Sequence, residues 1–131
     1  MSVHAPARPG LAQIGQIAIA MKDLPRAVAF YRDVLGLRFL FDAGPRLAFF
    51  DCGGIRLMLA PPEGTDAHQP SSILYYFVKD IKGTAQELVD KGAAMIGQPH
   101  LIAKMPDHEL WMAFFRDGEG NTLALMHEKR G

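Results

Sequence analysis

The sequence predicts an α+β fold: two tandem βαβββ modules whose curved mixed sheets surround a cleft, with helices outside. Three observations predict it. A strand, a helix-opening Asp, an apolar helical stripe and a closing Gly occur twice, over Gln16–Gly36 and again over Ile73–Gly92. The hairpins that follow repeat as well. Ala48-Phe49-Phe50-Asp51-Cys52-Gly53-Gly54 precedes Ile55-Arg56-Leu57-Met58-Leu59, and Ala113-Phe114-Phe115-Arg116-Asp117-Gly118-Glu119-Gly120 precedes Asn121-Thr122-Leu123-Ala124-Leu125. Within those strands one parity is aliphatic and the other is not. A module written twice implies two sheets related by a pseudo-twofold axis.

The elements follow in order. Residues 15–21 form a strand; Asp23 caps the next helix, and Pro25 sits in its first turn, where a missing N–H costs nothing. Leu24, Ala27, Val28, Tyr31 and Leu35 fall on one helical stripe, and Gly36 ends it in the left-handed conformation. Leu37–Phe41, Arg46–Phe50 and Ile55–Leu59 are strands separated by Asp42-Ala43-Gly44-Pro45 and Cys52-Gly53-Gly54 turns. Strand 72–79 opens the second module. A helix follows from Asp80 to Gly92, with Ile81, Ala85 and Leu88 buried. Residues 94–104 are a weaker extended segment broken by Pro99, and Leu110–Arg116 and Thr122–Met126 close the fold. Residues 1–13, with Pro6 and Pro9, read as a flexible tail. Residues 14–131 form a single domain: module one over 14–62, a proline-rich linker over 61–71 and module two over 72–128.

Bulk properties narrow the function. At 131 residues, 49% apolar and with zero formal net charge, the chain suits a globular domain that buries its own core. It lacks the basic excess that nucleic acid requires, and no apolar run reaches the ~18 residues of a membrane span. The lone cysteine, Cys52, allows no internal disulfide. With no apparent signal sequence, this predicts a cytoplasmic protein. Cys52 reads as a small structural residue at a strand end.

Met21-Lys22-Asp23-Leu24-Pro25-Arg26-Ala27-Val28-Ala29-Phe30-Tyr31-Arg32-Asp33-Val34-Leu35-Gly36-Leu37 resembles the opening helix of the vicinal oxygen chelate superfamily. That superfamily includes glyoxalase I, extradiol dioxygenases, methylmalonyl-CoA epimerase, fosfomycin-resistance transferases and bleomycin-resistance proteins. Phe115–Leu125 resembles its closing hairpin, where proline is more usual than Gly118. The resemblance covers residues 15–127 and implies the fold already read from the repeat. It leaves the reaction open, because one scaffold hosts unrelated functions.

The resemblance also implies metal ligands at four equivalent positions, two per module. Here these hold Gln16, Met58, Ile73 and Ala124. The glyoxalase branch accepts Gln at the first. Ile73 and Ala124 have no donor atom, and a thioether is a poor ligand for hard or borderline divalent ions. The expectation is no cofactor at the usual site. Strand alternation places Gln16, Arg56, Met58, Ile73, Tyr75, Phe77, Ala124 and Met126 on the concave face, and Ile17, Ile19, Leu57, Leu59, Leu123 and Leu125 under the helices. The predicted ligand is a small apolar or aromatic molecule, with Gln16, Arg56 and Tyr75 as polar contacts.

The remaining polar chemistry lies in the second module. His108 between Asp107 and Glu109 is a candidate general base, with Glu109 or Asp107 orienting it. His100 is a candidate for recognising substrate, and Trp111 is either a core anchor or a stacking wall. Asp117 and Asn121 read as turn residues. Two functions follow. One is a metal-free binding protein of the bleomycin-resistance kind. The other is a lyase, isomerase or dioxygenase, using relocated metal ligands or His108 with Glu109 for proton transfer. The resemblance also implies a homodimer.

Overall fold

The computed structural model describes residues 11–62 and 72–131; most of the tail, His68 and most of the 61–71 linker lie outside the described residues. Module one runs β1 (Gln16–Ala20), α1 (Leu24–Ala29), β2 (Arg38–Ala43), β3 (Leu47–Cys52) and β4 (Ile55–Ala60). Module two runs β5 (Leu74–Phe77), α2 (Ile81–Asp90), β6 (Ala94–Met95), β7 (His100–Lys104), β8 (Glu109–Arg116) and β9 (Thr122–Lys129). The first sheet has the order β1-β4-β3-β2 and the second β5-β9-β8-β6, with β7 also on β8. In each sheet the first strand lies parallel to the last, β1 on β4 and β5 on β9, and the other pairings are antiparallel.

Both helices start where the sequence places them. Asp23 Oδ1 accepts the Arg26 N–H at 3.2 Å, and Asp80 Oδ1 accepts the Gly83 N–H at 3.0 Å. Gly36 and Gly92 close the two helical segments at φ 74° and 97°, conformations that a side chain would strain. The first helix departs from the expected continuous helix to Leu35. It is α-helical to Ala29 and widens into a π turn over Phe30–Val34, where Leu35 N–H reaches Phe30 O at 3.0 Å. The segment after α2 divides in two because the glycine at 97 turns the chain (φ 104°) and Pro99 has no N–H to continue the ladder. β5 is shorter than expected, and β9 runs on to Lys129 because Glu109 of β8 is still in register with it.

The aliphatic parity forms the core, as expected. Ile19, Leu57, Leu59, Leu123 and Leu125 are buried under the helices with Ala27 and Tyr31 of the first helix and Ile81, Ala85 and Leu88 of α2. Phe50 and Phe115 are fully buried at equivalent places in the two modules. No helix among the described residues is long and apolar enough to cross a membrane.

The modules are fastened by one turn. Asp117, in the β8–β9 turn, is buried. Its Oδ1 accepts the backbone N–H groups of Glu119 (2.7 Å) and Asn121 (3.1 Å), as a turn residue should. Its Oδ2 accepts from Asn121 Nδ2 (2.7 Å) and from the Tyr31 hydroxyl of module one (2.8 Å). Asn121 Nδ2 also donates to Ala20 O at 3.0 Å. Glu119 accepts from Lys22 N (2.7 Å), Asp23 N (3.3 Å) and Arg26 Nη2 (2.9 Å), so module two supplies an anion to the helix start of module one.

Burial pushes the Glu119 carboxyl upward, but the Lys22 and Asp23 amides and the Arg26 guanidinium outweigh it and hold the group below the ordinary glutamate range. A folded-state pKa below the unfolded one stabilises the protein above the unfolded value and loses that contribution as pH falls through the folded value. Glu119→Gln is therefore expected to cost roughly 1–2 kcal/mol at neutral pH, with the difference from wild type shrinking as pH falls below the ordinary glutamate range. Urea melts of both proteins across this range would measure it, and a pH-independent gap would sink the assignment.

Candidate functional site

Each sheet has one face under the helices and one open face. On the first sheet, register aligns Gln16, Arg56, Asp51 and Arg38 in one row and Ala18, Met58, Phe49 and Phe41 in the next. Phe41 and Phe49 lie with ring centroids 4.9 Å apart, and the Arg56 guanidinium sits over Phe49 at 5.8 Å. Arg56 has no ion-pair partner among the described residues. Asp51, beside it in register, accepts the Gly54 N–H at 3.3 Å in its own turn. Gln16 Nε2 meets Met58 Sδ at 3.8 Å.

On the second sheet, Tyr75, Ala124 and Phe114 form one row. Phe77, Met126, Met112 and His100 form the next. Tyr75 meets Phe114 edge-on at 6.1 Å, and the His100 ring lies 6.5 Å from Phe114. Ala124 is fully buried between these neighbours. Ile73, Tyr75 and Phe77 remain 40%, 45% and 71% exposed, which makes this an unusually apolar open face.

The structure thus brings Gln16, Arg56 and Met58 together on one open face and Tyr75, His100 and Ala124 on the other, with Ile73 just before β5. It does not bring Trp111 there. Trp111 shares the side of Ala113 and Phe115, packs against the core and carries Lys82 Nζ 5.7 Å from its ring centroid. Glu109 follows Trp111, whose Nε1 donates to it at 3.1 Å. Of the two carboxylates offered to orient His108, it is Asp107 and not Glu109 that meets the ring, with His108 Nδ1 against Asp107 Oδ1 at 2.7 Å. The reason is that β8 starts at Glu109. Asp107 and His108 belong to the preceding turn, which is closed by Met105 N–H on His108 O, and there strand alternation does not separate them.

Asp107 is also bound by Arg130 Nη1 at 2.7 Å. His108 first and Arg130 second hold its carboxyl below the usual range. This cluster lines a pocket of about 440 Å³ between the β7–β8 turn and the chain end. No group of three or more His, Cys, Asp or Glu side chains among the described residues is arranged to hold a metal ion. Sequence reasoning missed Phe49 and Phe114. The signal was present: they are the middle residues of the two Ala-Phe-Phe repeats, with Phe50 and Phe115 turned into the core.

Two βαβββ modules, each with one open face, make up the scaffold of vicinal oxygen chelate proteins. The chain belongs to the Glyoxalase/Bleomycin resistance protein/Dioxygenase superfamily, whose family model matches residues 13–125. The Bacillus subtilis (strain 168) protein YraH is 27% identical over 126 residues, covering 84% of this chain and 94% of YraH. Among solved structures, a superfamily member from Sphaerobacter thermophilus DSM 20745 superposes with a TM-score of 0.75 at 21% identity, covering 90% of this chain and 98% of that one. Lactoylglutathione lyase from Agrobacterium tumefaciens gives 0.72 at 21% identity, covering 88% and 93%. At these identities the solved structures establish the shared fold.

Burial, and then the charge of Asp51, push the Cys52 thiol upward, which opposes the thiolate a nucleophile needs. As the lone cysteine it should react with a disulfide reagent at pH 8 about tenfold more slowly than free glutathione. A rate above that of glutathione would make Cys52 a functional residue.

Proposed function

We propose that the chain is a metal-free small-molecule-binding member of its superfamily, taking an apolar or aromatic ligand that carries an acid group. The observation that carries this reading is the exposed Ile73, Tyr75 and Phe77 face. A sheet face left open to water is ordinarily solvated by polar side chains, and this mixed sheet offers aromatic rings instead. Arg56 adds the acid preference. Its guanidinium rests on Phe49 without a carboxylate partner among the described residues, so a ligand carboxylate would gain a bidentate pair without breaking an ion pair.

The residues at the four family ligand positions do not fit a divalent cation. Gln16 is a weak amide donor already set against Met58, and Ile73 and Ala124 offer none. A homodimer in the cytoplasm belongs to the same reading. A second copy would cover part of the apolar face, and a single cysteine suits a reducing compartment. Metal analysis of untagged protein after exposure to Mn, Fe(II), Co, Ni and Zn and desalting should find no stoichiometric retention. Retention of one equivalent would overturn the metal-free reading.

A thermal-shift screen of aromatic carboxylates, starting with benzoate and 1-naphthoate, should identify stabilising compounds. Tyr75→Ala should weaken such a compound about tenfold. Arg56→Gln should weaken the acid by a similar factor but leave the matching amide unchanged.

A second reading, a lyase, isomerase or dioxygenase working by proton transfer, is favoured by one observation: the 2.7 Å His108–Asp107 contact beside a pocket. In that reading Asp107, rather than Glu109, orients the ring. His108→Ala separates the two. A binding protein keeps its ligand affinity within a few-fold, whereas an acid–base enzyme loses on the order of 10²-fold or more in turnover.

A further inference from the structure

Trp111 has a different neighbourhood from the one its strand position first suggested. On the helix side of the second sheet, a pocket of about 200 Å³ lies between the start of α2 and the outer ends of β8 and β9. Lys79 and Lys82 come to it from the α2 end, Lys129 and His127 from β9, and Trp111 from β8. Among the described residues the only carboxylate in the lining is that of Asp80, which is engaged as the helix cap on Gly83 N–H at 3.0 Å. Glu109, opposite Lys129 in register, accepts the Trp111 Nε1–H. None of the three lysines is ion-paired among the described residues.

Three lysines against one lining carboxylate leave the pocket lining with an excess of positive charge. Beyond the Asp80 cap, the first turn of α2 brings no further carboxylate to this end of the helix. Lys82 finds partial relief over the Trp111 ring, 5.7 Å from its centroid. His127 Nδ1 donates to Val78 O at 2.9 Å, since a carbonyl can only accept, and this leaves Nε2 without a partner among the described residues.

We propose that this pocket binds a phosphate group, as the free ion or as the monoester of a small molecule. A multiply charged oxyanion is the ligand that compensates several lysines at once. Compact ammonium donors can approach its oxygens from several directions, where a planar carboxylate would engage fewer of them. His127 adds Nε2 as a further hydrogen-bonding group for the oxyanion. Asp80 keeps the helix amide, so the lysines are the donors. The site lies on the opposite side of the sheet from Tyr75 and does not depend on the reading of the open faces.

Trp111 is the sole tryptophan of the chain, so its fluorescence reports on this pocket alone. The full chain is titrated with sodium phosphate, and separately with phenyl phosphate, at ionic strength held constant with NaCl. The expected result is a saturable fluorescence change. Tighter binding of phenyl phosphate assigns the site to monoesters, and equal or weaker binding assigns it to the free ion. Lys129→Gln and Lys82→Gln should each raise the apparent Kd about tenfold, while Arg46→Gln, in an exposed turn of the other sheet, leaves it unchanged. Because Lys82 touches the reporter ring, the phosphate-dependent rise in Tm is measured alongside and should shrink in both lysine variants. A response that never saturates, that NaCl alone reproduces, or that survives in both lysine variants overturns the proposal.

Discussion

Everything else in this structure depends on how the β8–β9 turn holds the two modules together. Asp117 is buried without an ion-pair partner among the described residues, yet its two oxygens take two backbone amides, an asparagine amide and the Tyr31 hydroxyl. A buried carboxylate is tolerated only when hydrogen bonds replace the water it lost. Burial, then the Asp117 charge, drives the Tyr31 hydroxyl far above the usual tyrosine pKa, so it stays a donor at all ordinary pH. Glu119, two residues on, carries the same fastening to the first turn of the other module's helix. The shared core under the helices then closes around this fixed point.

One consequence is a division of labour between sheet faces. The helix faces are used up by the common core, in which Phe50, Phe115 and the Leu pairs of β4 and β9 are fully or nearly fully buried. Apart from the pocket at Trp111, where the core ends, the open faces are therefore the broad surfaces left for recognition, and they differ. The first presents a cation over an aromatic floor, and the second presents aromatic rings with a histidine beside them. The four positions that the superfamily resemblance marks for chelation hold Gln16, Met58, Ile73 and Ala124, and two of these side chains carry no donor atom.

Much of this was legible in the chain. Parity alone assigned Ile19, Leu57, Leu59, Leu123 and Leu125 to the core and Tyr75 and Arg56 to the open faces, because alternation along a strand is a local property. Both Asp caps and both closing glycines followed from turn chemistry, which is equally local. Asp117 and Asn121 were legible only as turn residues. Their bonds to Tyr31 and Ala20 span 86 and 101 residues, and no local rule reports such contacts.

What the sequence determined by itself was the repeated βαβββ order, the two parities and the absence of donor atoms at two of the four chelating positions. Tertiary structure alone decided which polar groups meet. It set Asp107 rather than Glu109 against His108, because β8 begins one residue later than the pair, and it set Trp111 beside three lysines rather than beside Tyr75. Periodicity tells which residues share a face. Which elements pack over that face depends on contacts between segments far apart in the chain.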